Sequence, residues 1–417
     1  MQIKRVFREI HLWLSVPFGL IITAICFSGA MLVFEKEITE MLRHDLYYVK
    51  EVKAEPLPMQ ELMEAVEETL PDSVSISSVT VSPDKERTWQ VALSKPRRAS
   101  VYVDPYTGEV TGKNERLPFF DVMFHLHRWL MGSSGNDGFS LGKFLTGVST
   151  LVLVLILLTG LLMWLTNRNK PLTRSLTICV TKGWRRFWHD LHVAGGIYAT
   201  IFLLAIALTG LTWSFSWYRT GFYALFGVES NEGGNAHSNR GGNAQEGNGR
   251  NGHGRNGLEG NGHHRDGRRH GEGFHGSSGE GFHGSFGEGH GGGWHRSPYR
   301  HWQSVLEELA SRNPGYQAIT LSKESAKVVP AGRNSMRATD NYEYDRRSGE
   351  ITSCTPYAEQ DRSGKVRSAV YTVHTGSWGG MLTRIINFIV SLLGATLPLT
   401  GYYLWIKRLC NKHKSTK

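Results

Sequence analysis

Cysteine is scarce in this chain, with four among 417 residues. No two of them form a Cys-x-x-Cys pair, so zinc ribbons and redox sites with this spacing are excluded. A disulfide framework is excluded as well. We expect Cys26 inside an apolar segment, Cys179 and Cys410 on one side of a membrane, and Cys354 alone on the other.

A nucleotide-binding signature is also missing. No Gly-x-Gly-x-x-Gly sequence follows a strand and opens a helix, which is the arrangement that holds a dinucleotide pyrophosphate. The chain is therefore not expected to take hydride from a nicotinamide by itself.

Charged residues are absent from four long blocks of the sequence. These blocks are Leu12–Phe34, Phe144–Thr166, Val193–Tyr218 and Ile385–Ile406. Each is longer than the roughly 20 residues that a helix needs to cross a bilayer core of about 30 Å. The alternative for the first block is a signal peptide, but its apolar run is too long and no small-x-small cleavage site follows. The sequence predicts four transmembrane helices in contact with lipid.

Lysine and arginine indicate how these helices are oriented. Basic residues precede the first block, fill the segment between the second and third, and follow the fourth, whereas Glu35, Glu37 and Glu40 follow the first. Short loops rich in Lys and Arg remain in the cytoplasm. We therefore expect both termini in the cytoplasm. The net charge of +10 reflects this topology, and no nucleic-acid partner is needed to explain it.

Two copies of one unit are visible in the sequence. Asp104–Val110 matches Asp345–Ile351, and Leu158–Trp164 matches Leu399–Trp405, both at an offset of 241. Further upstream the offset is 181, which aligns His11 with His192 and Gly29 with Gly210. One insertion in the second copy accounts for the difference of 60 residues between the two offsets. Each copy is therefore predicted to consist of a helix, an outside domain and a second helix.

The predicted fold is a membrane α-helical bundle with two small α+β periplasmic domains, formed by internal duplication. In the first domain, Met59–Leu70 has helical spacing, and Val74–Val81, Trp89–Leu93 and Ser100–Val103 alternate like strands. In the second, a helix is expected near Trp302–Ser311. The predicted segments are helices 1–35, 121–166, 189–218 and 373–406, domains 36–120 and 297–372, the loop 167–188, the inserted segment 219–296 and the tail 407–417.

The insertion, from about Asn231 to His295, is rich in Gly, His, Asn, Arg and Ser. Such a composition cannot bury enough apolar surface to order itself, so one interpretation is a flexible solvated loop. The other is weak, multivalent metal binding by its histidines. The candidate ligands are His263, His264, His275, His283 and His290.

Six other histidines cluster at the ends of the predicted helices: His11, His189, His192, His125, His127 and His374. Pseudo-symmetry between the copies would place His11 opposite His192 at one membrane face and His127 opposite His374 at the other. His189 aligns with Arg8, and His125 points away from His127 on a helix, so these two are the fallback ligands.

Paired imidazoles from different helices suit haem iron, which takes axial ligands above and below the macrocycle. We expect two non-covalent, bis-histidine haem b groups, because no Cys-x-x-Cys-His motif is present. The slots would be lined by small residues, namely Gly19, Gly29, Gly195, Gly196 and Gly210. Zinc fits less well because it prefers four ligands. A proton relay and a purely structural role are two further interpretations of these histidines.

The sequence resembles the PepSY-associated transmembrane proteins. The matching motifs are REIHLWLSVPFGL, VYVDPYTGEV, LHRWL, LTGLLMW, HDLHVAGG, YEYDRRSGEI and LTGYYLW. The resemblance implies four helices with PepSY-like domains, and some members resemble ferric-siderophore reductases of the bacterial inner membrane. Those proteins hold haem between bundle histidines, which corresponds here to His11, His192, His127 and His374.

The leading hypothesis is an inner-membrane electron conduit. A cytoplasmic or quinol donor would supply electrons, and ferric iron or a ferric siderophore at the periplasmic face would accept them. One rival is a non-enzymatic, membrane-anchored PepSY module that binds peptides or regulates a protease. The other is a metal-binding transport accessory that uses the His-rich insertion.

Overall fold

The computed structural model describes residues 2–132, 140–166, 176–228 and 298–414, with side chains from 5 to 411. The insertion predicted at 231–295 lies outside these residues, and so do its five candidate metal ligands. Part of the predicted loop 167–188 lies outside them too.

Four long apolar helices confirm the predicted membrane spans. They are Arg5–Leu32, Leu141–Leu165, Trp184–Ser214 and Ser377–Asn411, called spans 1 to 4 below. The shortest has 25 residues, more than the roughly 20 that cross a bilayer core. The chain is therefore a multi-pass membrane protein.

The described elements alternate between these spans and a helix-and-strand region. The helices are α1 (Gln2–Leu32), α2 (Glu35–Leu42), α3 (His44–Tyr47), α4 (Met59–Glu68), α5 (Pro118–Trp129), α6 (Leu141–Leu165), α7 (Trp184–Asp190), α8 (Gly196–Ser214), α9 (Ser216–Ala224), α10 (Trp302–Arg312), α11 (Arg362–Thr375) and α12 (Gly380–Lys414). The strands are β1 (Ile76–Val81), β2 (Trp89–Leu93), β3 (Ser100–Val103), β4 (Val110–Lys113), β5 (Ala318–Ser322), β6 (Ser325–Val329), β7 (Asp340–Tyr344) and β8 (Ile351–Thr355).

Span 3 contains a π-helical turn, Leu191–Gly195, between α7 and α8. A π turn inserts one extra residue and changes the direction in which the following side chains point. His192 lies in this turn, and Ala194 and Gly195 beside it are buried. The local irregularity of span 3 therefore coincides with a predicted ligand.

The strands form one antiparallel sheet in the order β4-β3-β2-β1-β5-β6-β7-β8. The two halves meet where β1 pairs with β5, with Val79 opposite Leu321. The hydroxyl groups of Thr80 and Thr320 add a hydrogen bond of 2.9 Å across this joint. The sequence predicts two separate small domains, whereas the structure joins the two units into a single sheet.

The apolar core of this sheet is shared by both halves. Leu62 of α4, Trp302 of α10 and Ile319 of β5 are almost completely buried in one cluster. The backbone N–H of Met59 donates to the Gln303 side chain at 3.2 Å, which links α4 to α10. The two helices therefore cover one continuous apolar face of the sheet.

The spans pack in an antiparallel arrangement at close range. The Tyr402 hydroxyl of span 4 donates to the Val16 carbonyl of span 1 at 2.5 Å, and the Thr23 hydroxyl donates to the Ala395 carbonyl at 3.1 Å. At the sheet end, Arg384 donates through both terminal nitrogens to the carboxylate of Glu37 in α2. The side-chain contacts of Arg384 therefore tie span 4 to the segment that leads from span 1 to the sheet.

Candidate functional site

The structure brings four of the predicted histidines together in two pairs. The ring centroids of His11 in span 1 and His192 in span 3 are 6.3 Å apart. Those of His127 in α5 and His374 in α11 are 6.1 Å apart. We call these the first pair and the second pair. Both pairs combine residues from different helices.

The first pair is anchored by the two spans that do not carry it. His11 Nδ1 lies 3.1 Å from the Ile156 carbonyl oxygen and 3.1 Å from the Thr159 hydroxyl in span 2. His192 Nδ1 has the same environment in span 4. Its distances are 3.1 Å to the Leu397 carbonyl oxygen and 2.9 Å to the Thr400 hydroxyl.

The second pair is anchored in the same way by spans 1 and 3. His127 Nδ1 lies 2.9 Å from the Ile25 carbonyl oxygen. His374 Nδ1 lies 3.0 Å from the Ile206 carbonyl oxygen and 3.3 Å from the Thr209 hydroxyl. All four histidines therefore use Nδ1 to contact a helix carbonyl.

These contacts fix the tautomer of every ring. A carbonyl oxygen only accepts hydrogen bonds, so Nδ1 must carry the proton and donate it. In a neutral imidazole, Nε2 then keeps its lone pair, which is the form that ligates a metal ion. In the part of the chain that the structure describes, no hydrogen bond reaches Nε2 of any of the four.

A glycine gives each ring the room to approach its helix. The four glycines lie four residues after the carbonyls, directly behind a Ser or Thr: Ser28-Gly29, Thr159-Gly160, Thr209-Gly210 and Thr400-Gly401. A Cβ atom added at them would meet His127, His11, His374 and His192, respectively, with Cε1 at 2.8 to 3.5 Å in every case. The repeated hydroxyl–glycine dipeptide is therefore part of the site, although the sequence prediction assigns no role to Thr159, Thr209 or Thr400.

The predicted slot glycines divide into three groups. Gly19 and Gly196 line the cavity beside the first pair. Gly29 and Gly210 contact rings of the second pair. Gly195 instead faces the Leu191 side chain and that of a span 4 leucine.

The two fallback ligands are in different surroundings. His189 lines the same cavity as the first pair, but its side chain is 48% exposed and its Nδ1 contacts Asp190 Oδ1 at 3.3 Å. His125 is 42% exposed, and its Nδ1 donates to the Asp121 carbonyl oxygen one turn back at 2.9 Å. The structure does not bring either of them into a pair.

The first pair borders a cavity of about 570 Å³ between the spans. This volume is within the range of about 300–1,000 Å³ that is typical of small-molecule and cofactor sites. Most of its lining is apolar, and it includes Ile22, Leu157 and Leu397. The cavity can hold a flat apolar group in contact with both imidazoles.

The second pair lies at the end of the bundle nearer the sheet, because α5 and α11 follow the last strand of each half. These helices are outside the spans, and burial lowers the pKa of His127 there. Burial and the nearby His127 lower the pKa of His374 to about 4, so both rings are neutral at neutral pH. The Trp213 ring packs edge-on against His374, with centroids 5.0 Å apart.

The donor set fits a metal bound axially by two imidazoles. With a metal–imidazole bond of about 2 Å, two rings that ligate one ion from opposite sides have centroids about 6 Å apart. The observed 6.3 and 6.1 Å agree with this value. Within the described ranges, no group of three or more His, Cys, Asp or Glu side chains is placed to hold a metal ion. A four-ligand zinc site therefore has no support in these ranges.

Comparison with known proteins gives the family of the chain. No curated protein matches the sequence. The family described as PepSY-associated TM region matches residues 8–408, which include spans 2 and 3, the whole sheet and nearly all of spans 1 and 4. The chain therefore belongs to the PepSY-associated transmembrane family.

Proposed function

We propose that this protein is a haem-dependent electron carrier of the bacterial inner membrane. One haem b would be held by His11 and His192, and another by His127 and His374. The observation that carries the proposal is the tautomer of the four histidines, which leaves Nε2 free in two pairs whose ring centroids are 6.3 and 6.1 Å apart, so that both rings of a pair could ligate one metal ion. Haem iron, when bound by two imidazoles, supplies one-electron redox chemistry.

The chain contributes orientation and a dry environment. The Nδ1–H groups donate to helix carbonyls and hold the imidazole planes, as second-shell partners do in metal sites. Leu157, Leu203 and Val390 of spans 2, 3 and 4 form a buried apolar cluster inside the bundle.

The two pairs lie at different depths in the bundle. His11 and Ile25, whose carbonyl holds His127, are fourteen residues apart on span 1. At 1.5 Å per residue this corresponds to about 21 Å along the helix axis. Two centres in series at this spacing would cover most of a hydrocarbon core of about 30 Å.

The proposed direction of transfer follows from the basic residues. The termini and the segment between spans 2 and 3 are proposed to be cytoplasmic, which puts the first pair near the cytoplasm. A cytoplasmic protein or a quinol would donate there. The second pair and the sheet would then be periplasmic, where ferric iron, free or bound to a siderophore, takes one electron and becomes ferrous.

The corresponding contacts also support the proposed duplication into two PepSY-like units. At an offset of 181, His11, Ile25 and Gly29 correspond to His192, Ile206 and Gly210. At an offset of 241, Ile156, Thr159 and Gly160 correspond to Leu397, Thr400 and Gly401. Each residue and its counterpart make the same kind of contact.

Ligand replacement tests the proposal. His11→Ala and His192→Ala should each remove the same half of the haem of the purified protein, and His127→Ala and His374→Ala the other half. Ferric reduction across proteoliposomes should fail in all four, because centres in series are both required. His189→Ala and His125→Ala are the matched controls and should keep the full haem-to-protein ratio.

The outcomes separate the rival functions. If the wild-type protein contains no haem, or if none of the six substitutions changes its haem content, the electron-carrier proposal is wrong. A membrane-anchored PepSY binding module would then be the better hypothesis. If only His189→Ala empties the first site, the ligand assignment is wrong but the electron-carrier proposal survives.

A further inference from the structure

Two arginines at one end of the cavity are not explained by the histidine pairs. Arg8 in span 1 and Arg408 in span 4 both line the cavity that borders His11 and His192. Both are also exposed, so their side chains lie at the mouth of the cavity. Arg186 and Asp190 line it too, but they form an ion pair with each other at 2.6 Å.

Arg8 and Arg408 lie at the same end of two neighbouring helices. Val16 contacts Tyr402, and Thr23 contacts Ala395, so spans 1 and 4 run past each other in a constant antiparallel register. Eight residues before Val16, Arg8 comes level with position 410, which is within one turn of Arg408. Both guanidinium groups therefore lie at the same end of the cavity.

Neither guanidinium is compensated by a carboxylate of the cavity. The ion pair of Arg8 is with its exposed neighbour Glu9, at 3.4 Å. In the described part of the chain, no carboxylate lies within ion-pair distance of Arg408. A mostly apolar cavity with two such cations on one side matches a ligand that is apolar in its body and anionic at one edge.

The pseudo-symmetry is broken at this point. At the offsets of the duplication, Arg8 corresponds to His189 and Arg408 to Asn167, so neither arginine is repeated in the other copy. Two symmetric histidines alone do not determine the orientation of a flat ligand between them. An asymmetric pair of arginines would fix that orientation.

We propose that Arg8 and Arg408 bind the propionate carboxylates of the haem that His11 and His192 hold. The inference rests on the proposed function, because it assigns the orientation of the same cofactor. Guanidinium groups pair with carboxylates through parallel hydrogen bonds, which favours arginine for this task. Because both arginines are exposed, each ion pair between an arginine and a propionate should change the haem affinity by a factor of only about two to five.

The test compares haem with its dimethyl ester, in which the carboxylates are blocked. The apo-protein carries His127→Ala, so that only the first site is titrated, and binding is followed by absorbance in detergent. We expect the ester to bind about tenfold more weakly than haem, from two exposed ion pairs. In Arg8→Gln/Arg408→Gln, haem should bind as weakly as the ester, and the affinity for the ester should not change.

A matched variant controls for net charge and topology. Arg5→Gln/Lys407→Gln removes two cations from the same two helix ends, and neither residue lines the cavity. This variant should keep the preference for haem, and losing it would overturn the proposal. Equal binding of haem and ester by the parent protein would also overturn it while leaving the proposed function intact. If the parent binds neither, the proposed function itself fails.

Discussion

The glycines behind the four histidines allow a graded steric test. A Cβ atom at Gly29 would lie 2.8 Å from His127 Cε1, whereas a Cβ at Gly401 would lie 3.5 Å from His192 Cε1. Ordinary van der Waals contact begins near 3.4 Å. Gly29→Ala must therefore displace the His127 ring by about 0.6 Å, which exceeds the tolerance of about 0.5 Å for a preorganised site. Gly401→Ala requires no displacement.

The expected results follow this order of distances. Gly29→Ala should weaken haem retention by about tenfold, which is the lower range for disturbed second-shell contacts. Gly210→Ala, with a contact of 3.1 Å, and Gly160→Ala, with 3.3 Å, should fall between it and Gly401→Ala. The last should stay within about twofold of wild type, because its contact is that of ordinary packing. Haem-to-protein ratios after dilution in detergent measure the series.

A control separates the steric effect from helix propensity. Gly221 in α9 has no atom within 4 Å of an added Cβ. Gly221→Ala gains the same helix propensity as the other variants, about 0.5–1 kcal/mol, but creates no steric contact. It should therefore leave the haem content unchanged. If Gly401→Ala loses as much haem as Gly29→Ala, or if neither loses any, the rings are not held against these helices as described. Nδ1 of each ring would then not be held by a helix carbonyl.

Three further results are expected. Thr400→Val removes the hydroxyl 2.9 Å from His192 Nδ1 and should lower haem affinity of the first site by about tenfold in a titration of the apo-protein. Arg384 lowers the pKa of Glu37 below its ordinary value of 4.5. This ion pair therefore stabilises the fold fully above pH 4.5, and its contribution is lost as the pH falls through the lowered pKa that Glu37 has in the folded protein. Glu37→Gln should cost about 1 kcal/mol at pH 7 and much less near pH 3, measured by thermal unfolding; an equal loss at both would contradict the linkage. Reporter fusions after Trp89 should report the periplasm and those near Thr181 the cytoplasm, and the reverse would refute the proposed orientation.

Much of the fold could be predicted from the sequence because its signals are local. Uncharged blocks identify the spans, and alternation gives the bounds of β2 and β3 as the structure has them. The joint between β1 and β5 was not predicted. Strand alternation specifies which face is buried but not which strand is the neighbour, and these two strands are about 240 residues apart.

The site was predicted only in part, for a similar reason. His11 and His192 align at the same offset as the residues around them. His127 and His374 differ by 247 rather than 241, so their pairing could be predicted from position relative to the spans and not from the alignment alone. The carbonyl acceptors leave no mark in a sequence, since every residue has one. A search for Ser-Gly or Thr-Gly in the spans finds all four of these glycines, together with Thr146-Gly147 of span 2.

The contacts of these histidines also bear on whether they are structural. In a helix, each carbonyl oxygen already accepts one hydrogen bond from a backbone N–H group. Its second lone pair can still accept a hydrogen bond from a side chain. Each Nδ1–H uses such a lone pair, so one polar end of each ring is satisfied without any charged partner. A histidine that merely stabilised the bundle would be expected to find a protein partner for Nε2 as well, because most side-chain polar atoms inside a protein have one. Across the described residues no such partner is present at any of the four positions, whereas His125 and His189 are partly exposed to solvent. In all four rings Nδ1 has a protein partner and Nε2 has none among the described residues. The repetition of this pattern at two depths of the bundle favours metal ligation over a structural role.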